Sequence, residues 1–184
     1  GKGYIVRSPN NFDQVTPTIF NAQFTGVPNN GIINTPIVGG SLFNLIGNPY
    51  PSAINIDTFF DYNGIGTGTG VVDKTIYLWT HNTPVTSNNY TDNDYATYNY
   101  MGGVGTSPAI NPGVNNSLPL GKVAAAQSFF IKGLTNGNAT FNNSMRVVGN
   151  NNQFFRNVDV LTETDSKSRV WLEMFNSLGS YKQT

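Results

Sequence analysis

Strand signals dominate the hydrophobic pattern of this chain. In Thr75-Ile76-Tyr77-Leu78-Trp79-Thr80, Ile76 and Leu78 share one face while Tyr77 and Trp79 share the other. Ser128, Phe130 and Lys132 alternate with Phe129 and Ile131, and Val170, Leu172 and Met174 alternate with Arg169, Trp171 and Glu173. Runs rich in β-branched and aromatic residues, broken by Gly, Asn, Pro and Asp, predict strands near 3–7, 17–25, 31–38, 41–47, 74–81, 95–101, 123–133, 138–148, 154–161 and 168–176. A further strand begins at 178. Asn29-Asn30-Gly31 and Asn136-Gly137-Asn138 are turn signals, since Asn and Gly tolerate positive φ. Glycines alternate with small residues from Gly64 to Gly70, marking a loop tip, and longer loops are expected over 82–94 and 102–121. Only 52–62 reads as helix, capped by Ser52, with Ile54, Ile56, Phe59 and Phe60 turned to the core. It follows a corner from Gly47 to Pro51, where Pro49 and Pro51 withhold two N–H donors from any ladder. That corner reads as a fixed turn, not a ligand site.

The fold this predicts is all-β: an antiparallel two-sheet β-sandwich, jelly-roll-like, with one short helix near 52–62. A chain of 184 residues makes one domain over 1–184, large enough to bury a proper core. Ile5, Phe20, Leu45, Ile46, Phe59, Leu78, Phe130 and Leu172 are the expected core residues.

Charge narrows the function classes. Ten basic and ten acidic residues cancel, and only 11% of the chain is charged. A nucleic-acid binder needs a basic stripe to neutralise phosphates, and an anionic membrane surface needs a basic cluster. Neither is present. No apolar run approaches the roughly 18 residues of a membrane helix, so no membrane insertion is expected. The chain instead carries 27 asparagines and 20 glycines, giving the neutral, turn-rich surface of an extracellular β protein. It has no cysteine, which removes disulfides, thiolate nucleophiles and zinc–sulfur sites together.

The candidate chemistry is sparse. His81 is the only histidine, sits where a strand enters a His-Asn-Thr-Pro turn, and has no Gly-x-Ser-x-Gly partner. A structural or surface histidine is the favoured reading. The ten carboxylates fall largely in turns, where Asp serves the backbone, so a glycoside hydrolase or other hydrolase with a carboxylate pair ranks low. No enzyme is expected. Asp92 and Asp94 offer loop oxygens of the kind calcium takes, without the full loop pattern of a calcium-binding hand; no other cofactor is expected. Gly64 to Gly70 lacks the lysine and the following helix of a phosphate loop. The best binding clue is aromatic. Tyr77 and Trp79 precede a loop containing Tyr90 and Tyr95, and Tyr98 follows it. Flat rings among Asn, Thr and Asp suit the apolar faces and hydroxyls of sugars, while core filling and cross-strand pairing account for most such rings.

Several blocks also carry a family resemblance. Asn44-Leu45-Ile46-Gly47-Asn48-Pro49-Tyr50-Pro51-Ser52-Ala53-Ile54 is joined by Gly1-Lys2-Gly3-Tyr4-Ile5-Val6-Arg7, Ile76 to Thr80, Tyr98 to Met101, Val123 to Lys132, Asn143 to Arg146 and Arg169 to Met174. As an ordered set they resemble the C-terminal-region β-sandwich modules of secreted, adhesin-like cell-surface proteins of Bacteroidota, exported by the type IX secretion system. The resemblance implies a secreted, cell-surface structural or adhesive module, and a chain that is a fragment of a longer protein. It also implies that other copies or neighbouring domains join it through edge strands, since a sheet cut at its end exposes unpaired backbone. A carbohydrate-binding module, meeting surface glycans through Trp79, Tyr77, Tyr90, Tyr95 and Tyr98, is the alternative.

Overall fold

The computed structural model describes residues 1–6, 25–80, 94–105 and 118–151, and the backbone of two strands at 172–176 and 179–183. In chain order these form β1 (Ile33–Ile37), β2 (Leu42–Gly47), β3 (Ala53–Asn55), the helix α1 (Ile56–Asn63), β4 (Val72–Trp79), β5 (Tyr95–Asn99), β6 (Gly102–Val104), β7 (Lys122–Val123), β8 (Ser128–Gly133), β9 (Gly137–Phe141), β10 (Arg146–Val147), β11 (Leu172–Asn176) and β12 (Gly179–Gln183). The fold is all-β, its strands paired antiparallel, with a single α-helix among the described residues. The largest sheet has five strands in the order β2-β8-β4-β5-β6; β10-β3-β7, β1-β9 and β11-β12 are smaller.

One long ribbon organises two of these sheets. Ile33 to Ile37 pair with Phe141 to Gly137, and Leu42 to Gly47 then pair with Gly133 to Ser128. The same two stretches of chain therefore run side by side through both sheets, bending at 38–41 and 134–136. At the bend the Gly40 N–H donates to the Leu134 carbonyl at 3.2 Å and the Ser41 N–H to that of Gly133 at 2.8 Å. Gly40 has a φ of +77°, a left-handed conformation that costs glycine little. Gly39 answers to space: a Cβ there would lie 2.5 Å from the Thr135 carbonyl carbon. The chain bends at 134–136, ahead of the turn expected at Asn136-Gly137-Asn138. Gly137 and Asn138 already belong to β9, which pairs with β1 and not with the β8 it follows.

The inner face of the five-stranded sheet carries Ile46, Ile76, Leu78, Ala96, Phe129 and Ile131, all buried. Helix α1 packs there. Phe59 sets its ring 5.9 Å from Phe129 at 85° and 5.0 Å from Phe141 of β9. Each fully buried side chain of this size contributes about 1.5–3 kcal/mol. Among the described residues no helix is long and apolar enough to cross a membrane.

Several expectations are corrected. The helix starts at Ile56, because Ala53–Asn55 are bound as β3 between β10 and β7. Its cap is Asn55, whose side chain accepts the Asp57 N–H; Ser52 instead receives the Arg146 Nε–H at 3.0 Å. The strand expected over 123–133 is interrupted, with Ala126 at a φ of +61° between β7 and β8. Phe129 and Ile131 thus face the core, while Phe130 is only half-buried on the opposite face with Leu45. Residues 3–7 form no strand as far as Val6. Lys2 makes one bridge to Ile46, and Ile5 is 66% exposed. The strand expected over 138–148 is broken by a 3-10 turn at Asn143–Met145. Phe20, the side chain of Leu172 and the strands expected at 17–25 and 154–161 lie outside the described residues.

Candidate functional site: an aromatic face and its groove

The outer face of the five-stranded sheet gathers the odd-numbered positions of β2, β4 and β5 with the even-numbered ones of β8. Leu45 lies opposite Phe130, Phe130 opposite Tyr77, and Trp79 opposite Tyr95. These four aromatics and Leu45 are half-buried, and Phe43 beside them is 55% exposed. The rings meet edge to face: Phe43 and Tyr77 at 5.1 Å and 86°, Tyr95 and Phe130 at 5.8 Å and 79°. Such pairs contribute about 0.5–1.5 kcal/mol beyond the area they bury. Lys132 holds its ammonium 5.3 Å above the Phe43 ring. Tyr77 and Tyr95 are therefore part of a packed aromatic layer as well as a surface.

The chain's first residues build a wall at one end of this face. The Gly47 N–H donates to the Gly1 carbonyl at 2.8 Å and the Gly3 N–H to that of Leu45 at 3.3 Å. Gly3 is required by proximity, since a Cβ there would stand 2.7 Å from the Leu45 side chain. Tyr4, Ile5 and Val6 then cross towards β8. They leave a groove of about 190 Å³ against Leu45, Trp79 and Phe130, lined also by Gln127 and Ser128.

Tyr98 does not belong to this face. It points inward and is buried, donating its hydroxyl to the Asp57 carboxylate at 3.0 and 3.2 Å. Tyr100, beyond the end of the same strand, donates to the Asp57 carbonyl at 3.2 Å and to the Asp61 carboxylate. Burial, reinforced by the neighbouring carboxylates, pushes both phenols up to about 12. Lys74 places its ammonium 5.1 Å from the Tyr100 ring. Asp57 and Asp61, one helical turn apart, are thus tied to tyrosines that cross-link α1 to the sheet.

Asp94 is fully buried, and its main-chain carbonyl accepts both the N–H and the hydroxyl of Thr80, at 2.7 and 2.8 Å. Its proposed calcium partner Asp92 lies outside the described residues, as do Tyr90 and His81. Among the described residues no three His, Cys, Asp or Glu side chains are grouped to hold a metal ion. Sequence reasoning missed Phe43, Phe130 and Ser128 as members of the outer face. The alternation in β2 and β8 carried the signal, but only the cross-strand register joins them to Trp79.

The sequence profile of DUF8693, a domain of unknown function, matches residues 1–184. The chain belongs to the DUF8693 family. No curated protein and no solved structure matches it. For this DUF8693 domain, the chemistry of the outer face therefore carries the functional argument.

Proposed function

We propose that this chain is a non-catalytic structural or adhesive module of a secreted cell-surface protein, its sheets packed as a jelly-roll-like sandwich. The outer face carries the proposal: Phe43, Leu45, Tyr77, Trp79, Tyr95 and Phe130, from four strands, remain partly exposed together. Contiguous apolar surface of this kind marks interaction sites on soluble domains. The resemblance to modules exported by the type IX secretion system supports a place on the surface of a Bacteroidota cell. Neighbouring domains or copies join it through sheet edges. A second reading, a carbohydrate-binding module, is favoured by Tyr77, Trp79 and Tyr95 sharing that one face.

The test is a glycan array run beside a self-association measurement, with every retained glycan assayed for turnover. Retention without product, or silence from a well-folded protein, is the expected result. Product released from any retained glycan overturns the non-catalytic reading.

A further inference from the structure

We propose that the groove between residues 4–6 and the five-stranded sheet binds a single uncharged sugar ring, a hexose or N-acetylhexosamine unit of a glycan. The proposal rests on the adhesive reading above and names the ligand class for one end of that face. Three features define the ligand: size, wall chemistry and charge.

The groove encloses about 190 Å³. That is below the roughly 300–1,000 Å³ of pockets for drug-sized ligands, so the groove suits a single ring. Trp79, Phe130 and Leu45 line it with apolar surface of the kind that suits the C–H face of a pyranose. Ser128 and Gln127 are its polar lining residues, with groups that match ring hydroxyls. The Gln127 Oε1 already accepts the Ala124 N–H at 3.1 Å, so it is the Gln127 NH2 and the Ser128 hydroxyl that would meet a ring hydroxyl. Among the described residues no charged side chain lines the groove. A carboxylate or ammonium would lose water there without an opposite charge among those lining residues, so a neutral ring is favoured over uronic acids and amino sugars with a free amine.

The far wall is built rather than draped. Lys2 bridges Ile46, and the backbone bonds of Gly3 and Gly47 seat the segment on the edge of β2. The Tyr4 N–H reaches the Ser128 hydroxyl at 3.4 Å. Tyr4, Ile5 and Val6 are each about two-thirds exposed or more, so they border the groove without filling it.

The experiment titrates the whole chain with the methyl glycosides of glucose, galactose, mannose and N-acetylglucosamine, with glucuronic acid and glucosamine as charged controls. Backbone and indole N–H resonances are followed by NMR. At least one neutral glycoside is expected to shift the Trp79 indole and the Gln127 and Ser128 amides, while the charged controls do not. Trp79→Ala should weaken binding about tenfold or more, as truncation of an aromatic anchor does. Because that variant could also disturb the sheet, Ser128→Ala serves as a second and milder probe, expected to weaken binding several-fold in a protein with an unchanged spectrum elsewhere. Binding of the charged sugars in preference, shifts confined to residues away from the groove, or no response to any neutral glycoside overturns the sugar proposal. The adhesive reading survives those outcomes if the array or the self-association measurement is positive, and fails separately if a bound sugar is hydrolysed.

Discussion

Asn63 is the last residue of α1 and is fully buried, yet no polar group of its side chain is wasted. Its amide donates to the carbonyls of Phe59 at 3.0 Å and Thr140 at 2.9 Å, and its carbonyl accepts the Thr140 N–H at 2.7 Å. The side chain thus acts as a further strand beside β9. Asn44 does the same for Val38, accepting its N–H and donating to its carbonyl, each at 2.9 Å. Asn48 donates to the carbonyls of Ser52, Val123 and Ala124 and accepts the Tyr50 N–H, fixing the Gly47–Pro51 corner. An asparagine side chain is a peptide group on a short stem, so it can satisfy backbone that no strand reaches. Asn63→Leu should therefore cost at least about 2 kcal/mol, since it orphans the Thr140 N–H and carbonyl. Asn138→Ser, at an exposed position of β9, should stay within about 0.5 kcal/mol. Urea denaturation of the two variants compares them directly. The same method separates neighbours in β8: Phe129→Ala should cost about 3–5 kcal/mol and Phe130→Ala distinctly less, because only Phe129 is in the core.

At the scale of elements, the contact between α1 and the end of β5 is pH-sensitive. Tyr98 and Tyr100 both donate to carboxylates of the helix, and both phenols are raised to about 12. A group raised on folding contributes stability that is fully present below its unfolded value of about 10. That contribution is lost as pH rises through about 12, where a phenolate would face a carboxylate. The thermal midpoint should therefore fall between pH 10 and 12. Tyr98→Phe should start less stable at neutral pH, by about 1 kcal/mol for the lost hydrogen bond, and should show a shallower alkaline fall. A Tyr98→Phe profile parallel to that of the parent would show that the coupling lies elsewhere.

At the scale of the molecule, the bent ribbon joins two sheets through a bend of four residues on one side and three on the other. The bend tolerates no side chain at Gly39, where a Cβ would press into the Thr135 backbone. Gly39→Ala should force one stretch of the ribbon away from its partner and cost about 1–3 kcal/mol. Gly40→Ala, with open space around it but a φ of +77°, should cost roughly 1 kcal/mol through backbone strain alone. Unfolding of Gly39→Ala followed by both far-UV and aromatic near-UV signals tests whether the two sheets unfold as one. Coincident transitions are expected, because Phe59 packs against Phe129 in one sheet and Phe141 in the other.

The all-β class, the antiparallel strands, the helix around Phe59 and Phe60 and the Gly47–Pro51 corner were all legible in the sequence. Each depends on spacing or backbone chemistry within a few residues, and the corner's prolines act wherever they stand. The alternation in β4 likewise put Tyr77 and Trp79 on one face without further information. What surrounds that face was not legible. A left-handed Ala126 interrupts the apolar run and sets the phase of β8, sending Phe129 inward and Phe130 out. Alternation alone separates Tyr95 from Tyr98 across β5; only the fold decides that Tyr98 is the buried one. Asn44, Asn48 and Asn63 read as surface amides and became stand-ins for strands, because an amide suits water and backbone equally until the fold removes the water. Local periodicity tells which residues share a face; only long-range pairing decides which face is buried and what completes it.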